Sequence, residues 1–138
     1  MVQACVSSST GKAPGPAVPQ LIRSVKAGLP VGELDVLRES LDLPMERLAP
    51  LMGISKATLH RRKAAGRLDA AESDRVIRYA RLMGKAVEVL ETVEGARRWL
   101  NSPQVGLGGA VPLEYAESEL GAREVEDLLG RIEYGVYS

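Results

Sequence analysis

Wherever apolar residues recur along this chain they do so with helical spacing, which predicts an all-α protein. The most legible stretch is 45–63, MERLAPLMGISKATLHRRK. Leu48, Leu51 and Met52 stand at i, i+3 and i+4, an apolar stripe on one side of a short helix, with Glu46 and Arg47 in water. Gly53 then interrupts; glycine is costly inside a helix but tolerates positive φ, so it belongs just past a helix end. Ser55 can cap a second helix through its hydroxyl. That helix is predicted to bury Ile54 and Leu59 and to turn Lys56, Ala57, His60, Arg61 and Lys63 outward. Ala49 is small where two helices must cross closely. Helix, glycine turn and basic second helix together make the layout of a helix-turn-helix DNA-binding unit. One position departs from the motif: Arg62 stands where an apolar residue often completes the inner face. The plainer alternative is a helical hairpin with a merely solvated basic surface.

The pattern extends to both sides. Residues 1–19, rich in Ser, Gly, Pro and Ala, are expected to be a disordered N-terminal tail. Short helices follow over 20–27, with Leu21, Ile22 and Val25 inward, and over 32–41, with Leu34, Leu37 and Leu41 inward. Pro44 opens the first helix of the reader. After Gly66, Asp69 is positioned to cap a long helix from Ala70 to about Glu91. Along it Val76, Ala80, Met83, Val87 and Leu90 form a continuous seam, which fits either internal core or a dimer contact. The helix-turn-helix region with its long connecting helix thus covers 20–91. The rest, 92–138, contains a short helix with Val93, Ala96, Trp99 and Leu100, a glycine-bearing loop, and a short helix from Pro112 through Ser118. A last helix after Gly121 has Val125, Leu128, Leu129, Ile132 and Val136 on one stripe.

Charge changes the picture. The 138 residues carry no net charge, but residues 56–85 hold nine basic against three acidic side chains, a net of +6. Residues 86–138 hold four basic against ten acidic, a net of −6. A basic middle and an acidic C-terminal third suggest two different partners. The DNA-contacting set expected from the motif is Ser55, Lys56, Ala57, His60 and Arg61 near base edges, with Arg62, Lys63 and Arg67 near phosphates.

Catalysis is not indicated. One His, one Cys and scattered carboxylates offer no nucleophile beside a base and no metal-ligand set, so neither cofactor nor metal is expected. Cys5 alone excludes an internal disulfide. Gly106, Gly108 and Gly109 could suggest a phosphate cradle, but no strand precedes them. With no run of transmembrane length and no secretory start, the chain reads as cytoplasmic with no membrane partner.

A set of scattered residues carries a resemblance. Gly66, Arg67 and Leu68 lead to Glu72, Ser73, Asp74 and Arg75; then come Ala96, Trp99, Leu100, Asn101, Pro103, Leu107, Gly108, Gly109, Pro112 and Leu113. Gly121, Val125, Leu129, Ile132, Glu133 and Gly135 close the pattern. In these the chain resembles the Xre-type antitoxins of RES-Xre toxin-antitoxin modules, which share a C-terminal toxin-binding domain with the MbcA and ParS antitoxins. Leu90 departs, since members often have Phe there. The resemblance implies a helix-turn-helix unit followed by a small helical C-terminal toxin-binding domain. It also implies a repressor of its own operon that covers the active site of an NAD-depleting RES-domain toxin, and a homodimer within a larger toxin-antitoxin complex. On that footing Arg131, Glu133, Tyr134, Gly135, Val136, Tyr137 and Ser138 are expected to plug the toxin, the acidic groups near its phosphate-binding site and the tyrosines as anchors; the alternative is that both tyrosines merely close the helix against the domain. The competing readings are a stand-alone helix-turn-helix transcriptional regulator with no toxin partner, and a binding protein whose helix-turn-helix serves only assembly.

Overall fold

The fold is built around one helix long enough, and covered over enough of its surface, to serve as a spine. In the computed structural model, which describes residues 1–7 and 17–135, that helix runs Ala70–Leu90. Its order in the chain is α1 (Val2–Ser7), α2 (Val18–Ala27), α3 (Gly32–Leu41), α4 (Met45–Leu51), α5 (Lys56–Ala65), α6 (Ala70–Leu90), α7 (Val93–Leu100), α8 (Pro112–Tyr115) and α9 (Glu119–Glu133). Among the described residues there is no strand, only two isolated bridges. Eleven of the 21 residues of α6 are buried, including Val76, Ala80, Met83 and Val87, so it is covered on most sides. Helices α1, α2, α3, α7 and α9 pack around it.

The start of α6 follows from its sequence. Asp69 accepts the Glu72 amide at 2.7 Å while the Glu72 carboxylate accepts the Asp69 amide at 2.9 Å, a reciprocal cap that satisfies two otherwise orphaned donors. The seam along α6 is core: Val76, Ala80 and Met83 are fully covered within the chain and present no face to a second copy.

Three expectations are corrected. Residues 2–7, placed in a disordered tail, form a helix against α6 and α3. The reason is local: Val2, Cys5 and Val6 stand at i, i+3 and i+4, the first two are buried, and Glu33 accepts the Val2 amide at 2.9 Å. Burial of Cys5 also pushes its thiol above the usual range. Ile22, expected inward, is half exposed, because only Leu21 of α2 is buried. Leu59, expected in the core, packs against its edge and is only partly buried, and α5 has no fully buried residue.

The C-terminal helices close the other side of α6. Tyr79 is fully buried and donates to the Leu113 carbonyl at 2.7 Å, tying α6 to α8; burial raises the phenol's pKa. The helix opened by Pro112 ends at Tyr115, three residues short of its expected end. Gly121 explains its own presence: a Cβ there would collide with the Tyr115 carbonyl, so α8 and α9 approach this closely only over glycine. In α9, Val125, Leu128 and Leu129 are buried and Ile132 is packed against them, as the stripe predicts; Val136 lies outside the described residues.

Candidate functional site

Helices α4 and α5 meet as a helix-turn-helix requires. Leu48 and Met52 are fully covered, Ala49 and Ile54 nearly so, and Gly53 sits at φ +70°. The Ser55 hydroxyl accepts the Thr58 amide at 3.1 Å and donates to the Thr58 hydroxyl at 2.9 Å, so it caps α5 as expected. Gly66 ends α5 in the left-handed region, φ +85°. Two caps therefore set the length of a helix that has no buried residue of its own.

The outward face is basic and open. Lys56, Ala57, His60, Arg61 and Lys63 are all exposed, with the Arg61 guanidinium steadied on the Thr58 hydroxyl at 3.1 Å. Between α4 and α5 lies a groove of about 540 Å3 with Met45, Ala49, Pro50, Ile54 and Leu59 in its lining and Lys56, His60 and Lys63 along one wall. A close-spaced set of cations beside a shallow groove can neutralise phosphates and reach base edges at the same time.

Two of the expected phosphate contacts are committed elsewhere. The Arg62 Nε donates to the buried Glu72 carboxylate at 2.8 Å and its Nη2 to Asp69 at 3.2 Å; the hydrogen bond to Glu72 raises the guanidinium's pKa. This accounts for the departure from the motif: a buried Glu72 requires a cation where other readers place an apolar side chain. Arg67 donates to the Gly28 carbonyl at 2.6 Å, beside backbone bonds from Leu68 to Leu29 and from Val31 to Gly66 that tie the α2–α3 link to the start of α6. Of the eight expected DNA contacts, Ser55, Lys56, Ala57, His60, Arg61 and Lys63 share one exposed face, and Arg62 and Arg67 do not join it freely.

A second surface lies on the acidic C-terminal third. Arg131 is exposed, Glu133 pairs with Lys85 at 3.3 Å, Tyr134 is 80% exposed, and Gly135 turns the chain at φ +69°. Val136, Tyr137 and Ser138 lie outside the described residues. Four exposed apolar side chains join Tyr134 on this third and were not anticipated: Val93, Val105, Tyr115 and Leu120, the last 72% exposed. Leu120 was detectable in principle, since it stands five residues before Val125 and so lies off the buried stripe of α9.

Family models match these same two regions. The antitoxin Xre-like helix-turn-helix domain matches residues 20–81, and the antitoxin Xre/MbcA/ParS C-terminal toxin-binding domain matches residues 85–135. An antitoxin Xre of Yersinia enterocolitica is 37% identical over 120 residues, covering 86% of this chain and 81% of the relative. The chain belongs to the Xre antitoxin family. A second antitoxin Xre, from Photorhabdus laumondii, is 32% identical over 127 residues, 91% of this chain and 86% of the relative. As a member of that family the protein is an antitoxin and not an enzyme, with a helix-turn-helix domain and a toxin-binding domain, and the basic and acidic surfaces fall one in each. Helix α1 precedes both matched regions. Among the described residues no helix is long and apolar enough to cross a membrane.

Proposed function

We propose that this Xre family member neutralises a RES-domain, NAD-degrading toxin by covering its active site, and represses its own operon by binding operator DNA through α5. The protein acts in the cytoplasm, as a homodimer within a larger complex, by a contact other than the α6 seam. One observation carries the reading: an open face of Lys56, His60, Arg61 and Lys63 stands in one domain, and an exposed Tyr134 follows an acidic helix in the other. A pocket that holds the phosphates of NAD is itself cationic, and an acidic helix that ends in an aromatic anchor complements it.

The segment from Arg131 to Ser138 is the plug. Co-expression with a cognate RES-domain toxin tests it: the full chain protects cells, and a chain lacking Tyr134 to Ser138 does not. Full protection by the shortened chain removes the plug. A second reading has its own support, because Arg62 and Arg67 are held by the protein and leave fewer cations for phosphate; there the helix-turn-helix serves assembly alone. Gel shifts with the DNA upstream of the gene separate the two, since the first requires a salt-dependent complex.

A further inference from the structure

Helix α5 can present one face to DNA only if its rotation about its own axis is fixed, and apolar packing supplies little of that. Thr58, Leu59 and Arg62 are partly covered and the rest of α5 is exposed. The Thr58 hydroxyl is occupied within α5 and its cap, accepting from Ser55 at 2.9 Å and from Arg61 at 3.1 Å. Leu59 packs at the edge of the core, where the open groove of about 540 Å3 beside α4 leaves room for the helix to turn. Arg62 is the remaining member of this inner face. It stands three residues after Leu59, on the same side of the helix, and it crosses to α6.

That crossing is a fork with two fixed ends. The Arg62 Nε donates to Glu72 at 2.8 Å and its Nη2 to Asp69 at 3.2 Å. Both acceptors are held in turn: the Glu72 carboxylate, 6% exposed, also accepts the Asp69 amide at 2.9 Å, and Asp69 accepts the Glu72 amide at 2.7 Å. The fork therefore closes on the reciprocal cap that starts the central helix. A planar guanidinium held at two points fixes direction as well as distance, which a single ammonium contact does not. Consecutive side chains on a helix are about 100° apart, so a turn of α5 by a fraction of that carries Lys56, Ala57, His60 and Arg61 together off the line on which they meet base edges.

We propose that Arg62 and Glu72 are positioning residues for DNA reading: they fix the rotation of α5 against α6 and so set sequence discrimination without touching DNA. This rests on operator binding through α5, proposed above, but the rotation itself is readable with no DNA present.

The test uses the full chain and two duplexes of equal length, the DNA upstream of the gene and its scrambled sequence, over a range of salt. In Arg62→Lys the discrimination between them falls about ten-fold, the cost of one misread base pair, while the slope of log K against log salt stays at its wild-type value. A slope lower by about one would place Arg62 on a phosphate, and undiminished discrimination would mean that α5 is held without the fork; either overturns the proposal. Because Arg62→Lys leaves a buried carboxylate poorly paired, a second variant removes both charges. Arg62→Leu with Glu72→Gln keeps an acceptor for the Asp69 amide and places an apolar side chain where helix-turn-helix units often carry one. It binds the upstream DNA with the wild-type salt slope although the cation is gone; a slope lower by about one in this variant also overturns the proposal. Residual dipolar couplings of the α5 amides, measured against those of α6, report the rotation without DNA. Couplings that change in α5 of Arg62→Lys, in a protein whose wild type does not distinguish the duplexes, refute operator binding and support the positioning role. Unchanged couplings refute the positioning role and leave operator binding to stand on its own result.

Discussion

Helix α5 buries none of its ten residues, whereas α9 buries five of fifteen and leaves its acidic side chains outside. The first is held at its ends, by the Ser55 cap, Gly66 and the Arg62 contacts to Glu72 and Asp69. The second is held along its length, by Val125, Leu128 and Leu129 against the rest of the core. A helix held mainly at its ends keeps most of its surface for a partner, and a helix held by a stripe gives that stripe up. The two means of support also separate stability from binding, because, among the described residues, Lys56, His60, Arg61 and Lys63 on the open face of α5 make no contact to the rest of the core.

That separation can be broken by experiment. The largest expected effect is in α9: Leu128→Ala, at a side chain 1% exposed, should cost about 3 kcal/mol in urea denaturation. The matching change in α5, Leu59→Ala, should cost about 1 kcal/mol, since the side chain lies at the edge of the core and is only partly buried. Equal losses would mean that α5 is packed as deeply as α9. Gly121→Ala should cost about 1–3 kcal/mol by forcing α8 from α9, and should weaken toxin binding while sparing DNA binding.

Tyr79→Phe removes one buried hydrogen bond and should cost about 1 kcal/mol at neutral pH. Its pH dependence has a definite sign. The folded-state pKa of Tyr79 lies above its unfolded value of about 10, so the contribution is complete below that pH and is lost as pH rises further. The difference in stability between wild type and Tyr79→Phe should therefore shrink in alkali; a constant difference would mean that the phenol is not held protonated by burial.

The smallest effects on stability and the clearest on DNA belong to α5. Lys56→Ala, Arg61→Ala and Lys63→Ala should each leave stability within about 0.5 kcal/mol. Each should reduce the slope of log K against log salt by about one. A variant that binds DNA with an unchanged slope does not contact phosphate at that position.

Most of the helices were legible because their ends carry local chemistry. The Ser55 cap, the stop at Gly66 and the Asp69 cap follow from serine, glycine and aspartate placed where backbone groups need partners. What was not legible depends on distant residues. Helix α1 is too short to hold by itself and forms because α6 and α3 cover Val2 and Cys5; the Ser, Gly and Pro that follow it hid its pattern. Arg62 read as a phosphate ligand because Glu72, ten residues on, gives no sign in sequence of being buried beneath it. The exposed face of α5 was legible from its charges. The apolar side chains exposed on the C-terminal domain were harder to see, because Val105 and Tyr115 lie in short irregular elements where no stripe marks inside from outside.

The most direct measurement binds each partner to each of two variants, one with Lys56, Arg61 and Lys63 changed to Ala and one lacking Tyr134 to Ser138. The account predicts that the first loses the upstream DNA and keeps the toxin, and that the second does the reverse. Loss of both partners by either variant, or of neither, would contradict the assignment of one partner to each domain.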